Sequence, residues 1–118
     1  MNNILDLLQS NNITLHLISK GDKYCEANGE ENYTNSSYSA INDIWLGIYD
    51  NPELKNLSLC HEIAHCLIER TEDIDNVYEL EKLAWNNTFE IAKDCDILLS
   101  NEAVEWGNSQ LKEYEKFQ

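Results

Sequence analysis

His61 and His65 stand four residues apart, and Glu62 directly follows the first, in the stretch "SLCHEIAHC". On a helix, positions i and i+4 lie one turn apart on the same face, so the two imidazoles can point at one ion. Glu62 sits about 100° further round. From there its carboxylate can reach a metal-bound water without occupying the metal. The metal lowers that water's pKa, and the carboxylate takes its proton and passes it to a leaving group. The alternative is an amphipathic helix whose solvated face happens to carry two histidines. Two features weigh against it. The chain has only three histidines, and two of them take the metal-ligand spacing. The motif also lies among Leu57, Leu59, Ile63, Ala64, Leu67 and Ile68, so its polar groups should enter a core or cleft.

Two histidines do not complete a metal site. An H-E-x-x-H-x-x-G-x-x-H extension would need Gly and His where this chain has Ile68 and Thr71, which excludes that class. Glu69 shares the histidine stripe but lies roughly 12 Å along the axis from His61. A straight helix cannot bring both to a ligand distance of about 2 Å. The following helix offers Glu79 and Glu81. Its apolar stripe, read as Val77, Leu80, Ala84, Ile91 and Cys95, centres near 45° when Leu80 is zero. Glu81 then falls about 55° from the centre and Glu79 about 145° from it. Glu81 is the expected third ligand, and Glu79 is expected in solvent.

The elements that must position these groups follow from periodicity and punctuation. Residues 2–10 predict a short helix and 13–19 ("ITLHLIS") a strand. Residues 20–40 are polar and rich in Asn, Ser and Gly, predicting a loop with one short strand at 23–27. Residues 43–50 ("DIWLGIYD") predict a second strand, closed by the Asp50-Asn51-Pro52 turn signal. Asp50 or Asn51 is then placed to cap the motif helix, over about 53–69. A long helix is expected over about 75–95, and a last one after Ser100 as N-cap. Together these predict an α+β fold, 1–118 as one domain, with a small few-stranded sheet packed against an active-site helix, a Glu-donating helix and a C-terminal helix. Within the second strand, Trp45, Leu46, Gly47, Ile48 and Tyr49 precede the motif. They are candidates for an edge that holds an extended peptide, or else for a plain internal strand.

The chain has 118 residues, with 22 acidic against 8 basic side chains and a formal charge of −14. That excludes direct nucleic-acid binding through a basic surface and suits an acidic protein that occupies a basic groove on a partner. The N-terminal "MNNILDLLQSNN" has neither a basic segment nor a long apolar run, and no stretch approaches a membrane span. A cytoplasmic location is expected. Cys25, Cys60, Cys66 and Cys95 match no zinc-ribbon spacing and are expected as reduced thiols, mostly buried. His16 is expected as a partly buried structural histidine on its strand, and Trp45, Trp85 and Trp106 as core or cleft packing.

The run from "IYDNPELKNLSLCHEIAHCLIE" to "ELEKLAWNNTFEIAK" resembles the ImmA/IrrE-type zinc metallopeptidases, especially the short stand-alone proteins of phages and mobile elements. The similarity spans roughly residues 41–95. That family pairs H-E-x-x-H with a later E-x-x-A, matched here by His61, Glu62, His65, Glu81 and Ala84. The resemblance implies one Zn2+ per chain bound by His61, His65 and Glu81. It also implies Glu62 as catalytic base and a minimal zincin-like domain. The implied activity is a cytoplasmic metallopeptidase (a gluzincin-like hydrolase) cutting a protein or peptide substrate, for example a helix-turn-helix repressor. Ala64 stands where many members have Gly, and no additional domain to hold a protein substrate is expected. The rival expectation is a non-catalytic acidic inhibitor that blocks a basic surface of a partner, with zinc structural or absent. A degenerate peptidase that binds a repressor without cutting it is a third.

Overall fold

A computed structural model describes residues 3–118. In chain order it contains α1 (Ile4–Ser10), β1 (Thr14–Leu17), α2 (Lys23–Asn28), a 3-10 turn (Glu30–Asn32), β2 (Tyr38–Ala40) and β3 (Asp43–Leu46). The long helices α3 (Pro52–Thr71), α4 (Val77–Asp94) and α5 (Asn101–Lys112) follow, then a closing 3-10 turn (Glu115–Phe117). The architecture is α+β, as the periodicities predict, and residue 2 of the first expected helix lies outside the described residues. Among the described residues, no helix is long and apolar enough to cross a membrane.

Caps explain where the helices begin. The Asn51 side chain accepts from the Glu53 and Leu54 amides and Pro52 opens α3, whose last turn carries Arg70. Asn76 accepts from Glu79 N to start α4, and Ser100 accepts from Ala103 N to start α5. Ser100 also donates to the Glu53 carboxylate, tying the start of α5 to the first turn of α3.

The 20–40 segment corrects two expectations. Residues 23–27 are helical, because Asp22 accepts from Cys25 N and Gly29, at φ 85°, ends the turn. The extra strand is instead β2, within the serine-rich run. Sheet order is β1-β3-β2, with β1 parallel and β2 antiparallel to β3. Of the two readings of Trp45–Tyr49, the internal strand holds for Trp45 and Leu46, because β3 is the central strand. Trp45 pairs with His16 on one side and Tyr38 on the other, and Leu46 pairs with Leu17. Beyond the strand, Ile48 N donates to Tyr33 O and Ile48 O accepts from Asn35 N. Gly47 allows this close approach, since a Cβ there would collide with the Ser36 and Tyr33 carbonyl oxygens. The outer strands are β1 and β2.

α3 is the middle layer, which is why it is buried nearly all round from Leu57 to His65. One side packs Leu59, Ile63 and Cys66 against Ile44 and Leu46 of the sheet and Leu8 of α1. Its other side packs Leu57 against Trp85 of α4 and Ala103 of α5. Cys25, Cys60 and Cys66 are buried, Cys95 is half-buried, and all four thiols are free. His16 is half-buried on the outer sheet face, bonded to Asp43 at 2.9 Å and stacked on Trp45.

Candidate metal centre

α3 and α4 face each other across the motif. The face of α4 turned inward carries Glu81, Ala84, Trp85, Thr88 and Ala92, all buried and falling on one stripe of the helix. Val77, counted in the expected stripe, is exposed; the buried Trp85, Thr88 and Ala92, which the expected stripe left out, centre the inward face closer to Glu81 than the sequence suggests. Glu81 is 8% exposed, whereas Glu79 is in solvent.

Three donors converge. His65 Nε2 lies 3.1 Å from Glu81 Oε1, and His61 Nε2 lies 3.1 Å from Glu81 Oε2. The two Nε2 atoms are 3.1 Å apart. Ligands about 2.0–2.1 Å from a tetrahedral ion stand about 3.3 Å from one another. The two Nε2 atoms, and each Nε2 with its own Glu81 oxygen, are close to that spacing, and His61, His65 and Glu81 could hold a metal ion. The donor set fits in a second respect. Glu81 Oε2 is buried and accepts no well-aligned hydrogen bond, a costly state that a bound cation would relieve. Glu69 is exposed and stands outside the group, as its distance along α3 requires.

The surroundings hold the rings in place. His61 stacks on Trp85 with centroids 3.9 Å apart and planes at 21°. Its Nδ1 is 3.1 Å from Thr88 Oγ1, and Thr88 in turn donates to the Ala84 carbonyl at 2.6 Å. The His61 and His65 rings meet edge to face at 89°. Sequence reasoning assigned no role to Thr88 and gave Trp85 only a packing role. The signal for Thr88 was weak: a fully buried threonine one turn beyond Ala84 on the inward stripe.

Burial and neighbouring charge separate the ionisable groups. Burial pushes the Glu62 carboxyl up to about 7, with a hydrogen bond from Ser39 pulling the other way. Burial alone would raise Glu81 too, but the two imidazoles beside it, His61 and His65, outweigh burial and hold Glu81 at about 2. Burial lowers His61. For His65 burial acts in the same sense, but the bond to Glu81 and the nearby carboxylates prevail and raise it. A buried carboxylate ready to bind a proton near neutrality therefore lies beside one that stays ionised.

All four groups line a cleft of about 430 Å³. One wall is the 35–39 run, including Ser37, Ser39 and Tyr38 of β2. The opposite wall carries Trp85, Trp106, Gln110 and Tyr114 from α4, α5 and the segment after α5. Tyr49 reaches the cleft from beyond β3, with its hydroxyl 2.9 Å from Ser37 Oγ. The structure thus brings together His61, Glu62, His65 and Glu81, with Tyr49 as the member of the expected strand that touches the cleft. It does not give Trp45, Leu46, Gly47 or Ile48 a place there. No family model, curated protein or solved structure matches this chain.

Proposed function

We propose that this chain is a zinc-dependent endopeptidase of minimal zincin-like form, acting in the cytoplasm on a protein or peptide such as a transcriptional repressor. One observation carries the reading: three metal-ligand donors converge from two helices, with the buried carboxylate of Glu62 one residue from a ligand, at the wall of an open cleft. The residues that resemble the ImmA/IrrE-type peptidases, His61, Glu62, His65, Glu81 and Ala84, are the ones that form this cluster or stand beside it.

His61, His65 and Glu81 would hold the ion. Zinc in such a site supplies Lewis acidity that polarises a carbonyl and acidifies water. Glu62 receives the proton of the attacking water at its carboxylate, which its burial favours. It then returns that proton to the departing amine. β2 offers an unpaired strand edge beside the cleft, where an extended substrate backbone can pair. This edge replaces the internal strand β3 in that role.

Two measurements test the proposal at separate points. Bound zinc should be near one per chain in the wild type and fall sharply in His61→Ala; equal zinc in both removes the site. A pooled-peptide cleavage assay read by mass spectrometry should show products with wild type and none with Glu62→Gln. Equal cleavage by the two proteins rules out this mechanism. The charge of −14 favours a second reading, an acidic protein that masks a basic partner surface. That reading requires partner binding that collapses with modest salt and survives Glu62→Gln.

A further inference from the structure

Zinc accepts an imidazole only through a nitrogen bearing a lone pair, so each ligand histidine must hold its proton on the other nitrogen. For His61 the structure indicates which nitrogen is which. Thr88 Oγ1 and the Ala84 carbonyl oxygen are 2.6 Å apart, and only the threonine has a proton to place between them. Having given that proton to Ala84, Thr88 can only accept from His61 Nδ1, 3.1 Å away. His61 Nε2 is then left unprotonated, at the triangle it shares with His65 and Glu81. The proton accounting at His65 agrees. Its Nε2 lies 3.1 Å from both Glu81 Oε1 and His61 Nε2, and two facing Nε2 atoms this close cannot both carry hydrogen.

We propose that Thr88 is a positioning residue for this centre: its hydroxyl, oriented by the Ala84 carbonyl, fixes His61 as the Nδ1–H tautomer with the Nε2 lone pair aimed at the metal position. The inference rests on reading His61, His65 and Glu81 as a metal centre. Thr88 is fully buried, so no water competes for the His61 Nδ1 proton. A methyl in place of the hydroxyl leaves a buried N–H without an acceptor. The ring then gains by moving its proton to Nε2, where Glu81 Oε2 lies 3.1 Å away and has no well-aligned partner. That tautomer cannot bind metal until it is reversed. Loss of a partner of this kind weakens metal binding by about 10–100-fold.

The test combines two readouts on the full chain. Nitrogen-15 NMR of the metal-free protein reports the His61 tautomer directly and needs no metal. Competitive titration with zinc alone reports affinity. The expected result is the Nδ1–H form in wild type and Thr88→Ser, the Nε2–H form in Thr88→Val, and a zinc affinity about 10–100-fold lower in Thr88→Val only. A wild-type His61 protonated at Nε2 overturns the proposal, even if Thr88→Val does not fold. So does a folded Thr88→Val that keeps both tautomer and affinity. If no tested protein binds zinc while the tautomer still follows the hydroxyl, the metal reading falls and the Thr88 hydrogen bond stands as a purely structural one.

Discussion

Replacing Glu81 with Gln separates the third ligand from every other carboxylate in the chain. The change keeps side-chain shape and a carbonyl oxygen, and removes the charge that lies 3.1 Å from both imidazoles. Zinc bound by four protein ligands is worth roughly 10–16 kcal/mol, or roughly 3–4 kcal/mol for each ligand. With 1.4 kcal/mol per factor of ten, losing one ligand weakens binding on the order of 10²–10³-fold. The retained carbonyl puts Gln at the lower end of that range. A chromophoric chelator competing for zinc at neutral pH measures the effect. Glu79→Gln, on the exposed side of α4, and Glu69→Gln, at the cleft but outside the donor triangle, are the controls and should bind like wild type. An affinity for Glu81→Gln within about threefold of wild type, or a larger loss in Glu69→Gln, refutes the ligand assignment.

Three further outcomes are expected. Because burial raises Glu62 above the usual 4.5 to about 7, its contribution to metal-free stability is fully present below about 4.5 and is lost as pH rises through about 7. Glu62→Gln should therefore unfold at a higher temperature than wild type at pH above 7, by up to about 3 kcal/mol in stability, while showing no cleavage; equal or lower stability contradicts the burial argument. Glu81 has the opposite sign. Held at about 2, it stabilises the metal-free fold above about 4.5, and acid unfolding should develop between those values and shrink in Glu81→Gln. Gly47→Ala must push the 33–36 backbone away from β3, costing about 1–3 kcal/mol by denaturant unfolding; a neutral result would mean the loop is not packed as described.

The His61, His65 and Glu81 group was largely legible because its parts follow helical periods. His61 and His65 are related by a single helical turn, and Glu81 lies beside the apolar stripe of the next helix, so only the packing of α4 on α3 had to be assumed. The α4 stripe was less well read. Val77 was counted as apolar although it is exposed at the helix start, and Trp85, Thr88 and Ala92 define the inward face. Sheet order was not legible at all. β3 lies between β1 and β2 because of pairing between distant segments, and alternation in "DIWL" reads alike in an edge and a central strand. β2 was hidden because three residues of "YSA" within a serine-rich run carry almost no periodic signal. Asp22 could have marked α2, since Asp before "KYCEAN" is a cap, but the polar composition outweighed it. Thr88 as a partner of His61 depends on two helices meeting, which a period in one helix cannot express.

The most direct test of the central claim is a crystal structure of the zinc-loaded protein with data collected on both sides of the zinc absorption edge. The account predicts one anomalous peak about 2.0–2.2 Å from His61 Nε2, His65 Nε2 and a Glu81 carboxylate oxygen, with the remaining position toward the cleft. A peak held by other residues, or none at this triangle under saturating zinc, would contradict it.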